Sequence, residues 1–132
     1  MTIVVGEQVE KAGNAYRVAE EAERPWGKWV VLETGRRFTV KRLTLKPGAN
    51  LSLQRHRWRD EHWTVVEGKA EVGIDGSTRI LAENQSVFIP AGALHRLCNA
   101  GADELVVVEV QYGKMLDEAD IERFDDSYGR AG

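Results

Sequence analysis

The 132-residue chain holds 18 Lys and Arg residues against 21 Asp and Glu, and 42% of it is hydrophobic, which is the balance of one ordinary globular domain. Its net charge of -3, with the bases interspersed among acids, argues against a nucleic-acid partner, whereas a small phosphorylated molecule needs only a few cations. The single cysteine, Cys98, excludes an intrachain disulfide and suits a reducing compartment, and no apolar run approaches the length of a membrane span.

Residues 1–23 differ in composition from the rest of the chain. After the apolar Ile3–Val5, the stretch Glu7–Glu23 is rich in Glu, Ala and Lys and lacks a strand pattern. We expect an N-terminal arm or a short helix that packs on a partner subunit, with a partly ordered tail as an equal alternative. The first residues also lack the basic flank of a signal peptide, so we expect a cytoplasmic protein with no membrane partner.

From Trp26 onward, short β-prone runs alternate with turn residues such as Pro, Gly, Asn and Asp. Many short strands at regular spacing predict an antiparallel sandwich or barrel, and Asp75-Gly76 is the best hairpin signal. Near the end, Asp117–Phe124 has helix-compatible spacing with acids at its start, which predicts a short C-terminal helix. The predicted strands are Trp29–Glu33, Phe38–Leu45, Leu51–Gln54, Trp63–Glu67, Ala70–Ile74, Arg79–Leu81, Ser86–Ile89, His95–Asn99 and Leu105–Gln111.

Four potential metal ligands lie in two separated motifs, Gln54, His56 and Glu61 in the first and His95 in the second. Strand alternation places Gln54 and His56 on one face, with the apolar residues between them on the other. An amide oxygen, two imidazoles and a carboxylate suit a borderline divalent cation such as zinc, with room left for substrate oxygens. A histidine in a strand is more often a hydrogen-bonded structural residue, but the joint spacing favours a metal site. His62 follows Glu61 directly and should point away from the metal.

A series of motifs in one order carries a resemblance to a known family. It resembles the cupin superfamily and, more closely, type II mannose-6-phosphate isomerase, the cupin usually fused behind a mannose-1-phosphate guanylyltransferase. The resemblance spans about residues 24–130 and implies an all-β cupin domain, a double-stranded β-helix or jelly-roll barrel, behind the arm of residues 1–23. The motifs are Arg24-Pro-Trp-Gly27, Lys41-Arg-Leu-Thr-Leu-Lys-Pro-Gly48, Leu51-Ser-Leu-Gln54, His56, Arg59, Glu61-His-Trp63, Ile89-Pro90, His95-Arg-Leu97, Glu109-Val-Gln111 and Tyr128-Gly-Arg130.

The sequence departs from the family pattern in two features. Trp58 stands where the family commonly has another histidine, so we expect it to touch substrate and alter sugar contacts. A Gly-rich nucleotide loop in a βαβ unit, which the guanylyltransferase half would contain, is absent from this sequence.

The resemblance implies a metal-dependent isomerase that interconverts mannose 6-phosphate and fructose 6-phosphate through an enediol. Zinc is the expected metal, with Mn²⁺, Co²⁺, Ni²⁺ or Fe²⁺ as alternatives. The candidate catalytic bases are Glu109, if its strand face lines the barrel lumen, and His62, if its own strand is irregular. An equally good interpretation pairs Glu109 with Lys41 or Arg42 on a neighbouring strand.

The phosphate of such a substrate requires cations at the barrel mouth. The candidates are Lys41, Arg59, Arg96 and Arg130, and Gln111 is a candidate for hydrogen bonds to sugar hydroxyls. Of Lys41 and Arg42, strand alternation places one in the lumen without deciding which.

Two other functions compete with the isomerase. One is an accessory cupin that binds a sugar phosphate or nucleotide sugar for a separate guanylyltransferase, with weak or no turnover. The other is a different metal-dependent cupin enzyme, such as an iron oxygenase or an epimerase. In each case we expect a small-molecule ligand and a homodimer, because Ile3–Val5 suits pairing with a neighbour's exposed sheet edge.

Overall fold

A computed structural model describes residues 13–125, and those residues form strands, bridges and turns with no α-helix. No helix in that range is long and apolar enough to cross a bilayer. The strands are β1 (Glu21–Arg24), β2 (Gly27–Thr34), β3 (Phe38–Leu45), β4 (Leu53–Arg55), β5 (Arg59–Glu67), β6 (Ala70–Ile74), β7 (Ser77–Leu81), β8 (Ser86–Ile89), β9 (His95–Asn99), β10 (Leu105–Gly113) and β11 (Glu122–Asp125).

The strands form two antiparallel sheets. The first has six strands in the order β1-β2-β3-β10-β5-β8, and the second has five in the order β11-β4-β9-β6-β7. One cluster of buried apolar side chains draws on both sheets, so their inner faces enclose a common core. Strands that lie side by side in a sheet, such as β3 and β10, are distant in sequence. Residues that meet inside the barrel therefore come from separate segments of the chain.

The inner face of several strands changes from apolar to polar along its length. On β10, the buried residues run from Leu105 and Val107 to Glu109 and Gln111. On β5, the buried residues change in the opposite chain direction, from Arg59 and Glu61 at the start of the strand to Trp63 and Val65 further along. Alternation puts every second residue on this face, so one end of the barrel interior is an apolar core and the other end is polar.

The Asp75-Gly76 turn confirms the hairpin predicted from the sequence. Strands β6 and β7 pair in register on either side of it, with Ile74 opposite Ser77. Asp75 has φ 46° and Gly76 has φ 87°, the left-handed backbone that a two-residue hairpin loop requires at both positions.

The short C-terminal helix predicted over Asp117–Phe124 is wrong. The Asp120 carboxylate accepts backbone N–H bonds from Arg57 and Trp58, each at 2.9 Å. After it, β11 pairs with β4, so contacts to distant residues replace helical ones. The pairing of β11 with β4, and not the helix-compatible spacing of the acids, therefore determines the structure of this segment.

The described part of the N-terminal segment forms a bridge and a strand instead of a helix. Asn14 bridges to Leu116, and β1 pairs with β2 from Glu21 opposite Val30 to Arg24 opposite Gly27. The expected sheet-edge segment Ile3–Val5 lies outside the described residues, and the boundary between arm and domain stays a prediction.

Candidate metal centre and adjoining cavity

His56, Glu61 and His95 meet at the polar end of the barrel. His56 directly follows β4, Glu61 lies in β5 and His95 begins β9, so segments from both sheets contribute. One potential ligand atom from each residue lies within 4.8 Å of the others, and all three side chains are buried. Nε2 of His56 is 3.3 Å from Glu61 Oε2, and Nε2 of His95 is 3.6 Å from Glu61 Oε1.

Main-chain carbonyls orient both imidazoles. Nδ1 of His56 lies 2.6 Å from the Asp120 carbonyl oxygen, and Nδ1 of His95 lies 2.9 Å from that of Ala93. A carbonyl only accepts, so each Nδ1 carries a proton and each Nε2 is the ring nitrogen directed towards Glu61. Burial, with the nearby charges of Arg59 and His95, lowers the pKa of His56 to about 3, which keeps this imidazole neutral at pH 7.

The donor set fits a divalent metal ion. Glu61 Oε1 and His95 Nε2 are buried polar atoms without a hydrogen-bond partner among the described residues, a costly arrangement that a bound cation would relieve. Two imidazoles and one carboxylate are ligands that zinc and similar divalent ions accept.

Gln54, the fourth expected ligand, lies beside this group. It is buried and stands opposite His95 in the β4–β9 pairing. Its amide nitrogen donates to Ser52 Oγ at 3.0 Å. Metal binding by Gln54 stays a prediction.

Arg59 is a buried cation in direct contact with the ligand group. Its Nε donates to Glu61 Oε2 at 2.8 Å, and its Nη2 donates to His56 Nε2 at 3.3 Å. Burial alone would raise the pKa of Glu61, but the neighbouring Arg59 and His95, with the hydrogen bond from Arg59, outweigh it and hold that pKa below its usual value. Glu61 is therefore an anion at neutral pH.

Glu109 lies on β10 between the ligand-bearing strand β5 and strand β3. Trp63 Nε1 donates to its Oε2 and Gln111 Nε2 to its Oε1, each at 2.8 Å. Burial, followed by the charge of Glu61, raises the pKa of Glu109 above its usual value despite Lys41 and Arg59. Two buried carboxyl groups in one site thus have pKa values moved in opposite directions.

A small cavity of about 50 Å³, partly open to solvent, adjoins the metal-ligand group. Its walls combine apolar rings, four cationic side chains and two carboxyl groups. Its lining residues are Arg24, Trp26, Trp29, Lys41, Leu43, Leu51, Gln54, His56, Arg59, Glu109, Gln111, Glu118, Ile121 and Arg123.

Several residues expected at the site line this cavity. Lys41 and not Arg42 faces inward, and Lys41 stands opposite Glu109 in the β3–β10 pairing. The Lys41 ammonium nevertheless bonds to Glu118 at 2.8 Å instead of to Glu109. Gln111 is fully buried, and its Oε1 has no hydrogen-bond partner within residues 13–125.

Other expected site residues lie elsewhere. His62 is exposed on the outer face of β5, where its ring stacks 4.8 Å from that of Phe88, because the strand is regular at this point. Arg96 also points outward, from β9, and pairs with Asp125 at 3.1 Å. Neither His62 nor Arg96 lines the cavity. The predictions of His62 as a candidate base and of Arg96 as a phosphate-binding cation were therefore wrong. Arg130 lies outside the described residues.

Trp58 was expected to touch substrate, but it lines two shallow surface depressions outside the cavity and is 49% exposed. Conversely, sequence reasoning missed Arg24 and Glu118, which line the cavity, and Tyr16, whose hydroxyl contacts Glu118 and Lys41. Arg24 belongs to the Arg24-Pro-Trp-Gly27 motif, which was a usable signal. Glu118 reaches the cavity from a connecting loop that no local pattern distinguishes.

Comparison with solved structures confirms the expected cupin fold. An RmlC-like cupin from Shewanella frigidimarina superposes with a TM-score of 0.63 at 19% identity, covering 72% of this chain and 84% of that one. Oxalate decarboxylase from Bacillus subtilis superposes with a TM-score of 0.69 at 18% identity, covering 80% of this chain and 30% of that one. At these identities the likeness concerns the fold alone.

Sequence relatives are much closer. The chain is 49% identical over 127 residues to mannose-1-phosphate guanylyltransferase of Escherichia coli, covering 96% of this chain and 27% of the relative. It is 54% identical over 110 residues to the alginate biosynthesis protein AlgA of Pseudomonas putida, covering 83% of this chain and 23% of the relative. The chain thus spans about a quarter of the length of these relatives. Residues 11–126 match a family model described as mannose-6-phosphate isomerase C-terminal, and the chain belongs to that family of cupin domains.

Proposed function

We propose that this chain interconverts mannose 6-phosphate and fructose 6-phosphate with a divalent metal held by His56, Glu61 and His95. The observation that carries the proposal is the convergence of these three side chains beside a cavity rich in cations. Membership of the isomerase family supports it. Zinc, the homodimer, the cytoplasmic location and the exclusion of nucleic acid stay predictions.

The metal would supply one kind of chemistry. When bound, a divalent cation polarises the carbonyl and hydroxyl oxygens of a sugar and lowers the free energy of the charge that develops on them. The chain's own contribution is orientation, because both imidazoles are fixed by main-chain carbonyls before any ligand arrives. Arg59 adds a fixed positive charge beside the same group.

Glu109 is the proposed base. It takes the proton from C2 of mannose 6-phosphate and returns it to C1, while a second proton moves between the two sugar oxygens. Trp63 and Gln111 hold its two oxygens in place, and its raised pKa makes the carboxylate a stronger base than an exposed glutamate. Because the base must be ionised, the rate is expected to rise with pH through that raised pKa.

A coupled assay tests the proposal. The full chain is stripped with a chelator, reloaded separately with Zn²⁺, Mn²⁺, Co²⁺, Ni²⁺ or Fe²⁺, and assayed for fructose 6-phosphate formed from mannose 6-phosphate. Glu109→Gln should lower kcat about a thousandfold with little change in metal affinity. The matched control is Glu67→Gln, which changes an exposed glutamate at the end of β5 and should leave kcat unchanged.

Other results would point to the competing functions. Sugar-phosphate binding with no turnover on any metal would favour the accessory cupin, and oxygen uptake with ferrous iron would favour an oxygenase. Full activity in Glu109→Gln would retain the isomerase but remove Glu109 as its base.

A further inference from the structure

Lys41 is a buried cation in the cavity wall. The residue is 2% exposed, and its ammonium lies 4.1 Å from the ring centre of Tyr16 and 4.0 Å from that of Trp29. A buried ammonium is stable only with an anion or strong acceptors nearby. Here the anion is Glu118, whose Oε2 is 2.8 Å from Lys41 Nζ.

The Glu118 carboxylate is surrounded by donors from separate parts of the chain. Besides Lys41 on β3, the Tyr16 hydroxyl donates to Oε2 at 2.5 Å, and Arg24 Nη2 on β1 lies 3.9 Å from Oε1. Tyr16 also accepts a hydrogen bond from Lys41 at 3.1 Å, which ties the donors to one another. A lysine, an arginine and a hydroxyl around one oxyanion are donors that a phosphate group also prefers.

Glu118 is the movable member of this group. Its side chain is 39% exposed and extends from the loop between β10 and β11, whereas Lys41 lies in the interior of a sheet. A phosphate dianion carries more charge and more acceptor oxygens than a carboxylate. It would therefore compete for the same donors, at the cost of moving one loop side chain into solvent.

The donor group lies at a useful distance from the metal ligands. Strand β10 separates β3 from β5, so Lys41 is two strands, or about 10 Å, from the strand that carries Glu61. Glu109 lies between them, opposite Lys41 on one side and opposite Trp63 on the other. A molecule with its reacting carbon at the metal and its phosphate at Lys41 would pass the proposed base.

We propose that Arg24, Lys41 and the Tyr16 hydroxyl form the phosphate-binding site of the cavity, and that Glu118 occupies this site until a phosphate displaces it. The inference rests on the proposed function for the identity of the substrate. It selects among the candidate cations by position, because Arg59 pairs with the proposed metal ligand Glu61 and Arg96 points away from the cavity to pair with Asp125.

Titration calorimetry on the full chain tests this inference, with inorganic phosphate as the probe after chelation and with fructose 6-phosphate after zinc loading. Arg24→Ala should weaken phosphate binding about tenfold, since it removes one charged donor. Glu118→Gln should tighten it several-fold, because the amide no longer competes for the cations. Arg55→Ala, which removes an arginine that pairs with Glu122 outside the cavity, should leave both affinities unchanged.

The sign of the Glu118→Gln effect is decisive. A purely structural ion pair predicts weaker or unchanged phosphate binding in that variant, and either result would overturn the inference. Lys41→Met is informative only if folded, so Arg24→Ala, with a side chain 32% exposed, carries the test of the cations.

Failure of this inference and failure of the proposed function give different results. Normal KM for mannose 6-phosphate in an active Arg24→Ala variant would overturn the phosphate site and leave the isomerase in place. Phosphate affinities that follow the expected pattern in a chain without turnover would support the site and overturn only the isomerase.

Discussion

Glu118 keeps its negative charge in the cavity wall because donors surround it. Burial would raise its pKa, but the Lys41 ammonium, with hydrogen bonds from Lys41 and Tyr16, lowers that pKa from 4.5 to about 2. Burial, followed by the charge of Glu118, raises the pKa of Tyr16, so its hydroxyl remains a donor. The charge state of each group thus depends on residues far away in sequence.

The depressed pKa of Glu118 predicts a pH-dependent contribution to stability. A carboxyl group whose pKa is lower in the folded state stabilises fully above its unfolded value, and this stabilisation disappears as pH falls from about 4.5 towards 2. At pH 7, Glu118→Gln should lower the free energy of unfolding by about 1–3 kcal/mol, a value reduced by the partial exposure of the pair. Urea denaturation at pH 7, 4.5 and 3 measures the difference.

Glu67→Gln is the control, and its effect should be near zero at every pH. A Glu118→Gln deficit that stays constant between pH 7 and pH 3 would show that the ion pair is not its source.

Single residues show how far sequence reasoning reaches. The inward faces of His56, Glu61 and His95 followed from the motifs and from strand alternation, and the structure brings these three together. Alternation left Lys41 and Arg42 undecided because adjacent residues take opposite faces and both are cations. Only the β3–β10 register resolves it.

Among the elements, the edge strands β1 and β11 were not predicted. Their sequences, Glu21–Arg24 and Glu122–Asp125, are mostly charged and largely exposed, and each strand has a single neighbour in the described part of the chain. An edge strand of this kind has little hydrophobic alternation, so pairing and not local propensity determines it. The strands β3, β6, β8 and β9 were predicted with their observed bounds, because their apolar residues alternate clearly.

Gly27 and Gly76 both have a positive φ, but a Cβ atom would clash with a neighbouring strand only at Gly27. At Gly27, with φ 150°, a Cβ atom would lie 1.9 Å from the Thr44 carbonyl oxygen on the neighbouring strand β3. At Gly76, with φ 87°, a Cβ atom would have no other atom within 4 Å. Gly27→Ala should therefore cost about 3 kcal/mol or more, and Gly76→Ala only about 1 kcal/mol.

Equilibrium urea denaturation of the two variants checks this difference. Equal losses would mean that β2 and β3 adjust to the added methyl group without separating. A large loss in Gly76→Ala alone would contradict the interpretation of the hairpin as an open turn.

In the whole molecule, both sheets contribute to the metal-ligand group, so a bound metal would connect them. Binding to the folded state alone stabilises a protein by about 2.7 kcal/mol when the free ligand is at 100 times its dissociation constant. We therefore expect Zn²⁺ to raise the Tm by roughly 10 °C, and a chelator to reverse the change.

Calorimetric melting of two variants tests the origin of that effect. His95→Ala should lose both the metal-dependent rise in Tm and the binding of Zn²⁺. Cys98→Ala should retain both, because Cys98 lies on the opposite face of β9 from His95. A metal-dependent rise that persists in His95→Ala would assign the metal to another site.

The cavity as a whole was the least predictable feature. Arg24, Lys41 and Glu118 come from an edge strand, a central strand and a loop, and their meeting depends on the packing of the complete barrel. Outward residues such as His62 and Arg96 lie near the metal ligands in sequence but on the other side of the sheets. Nearness in sequence was therefore a poor guide to the substrate end of the site.

The loop between β10 and β11 contacts both ends of this cavity within four residues. Its Asp117 and Asp120 carbonyls accept from Arg59 and His56, and its Glu118 carboxylate accepts from Lys41. Rerouting or shortening this loop would release both ends together. Turnover and substrate affinity would then change together. An alteration of this loop, which is distant in sequence from the metal ligands, would therefore have the same effect as a mutation in the metal centre.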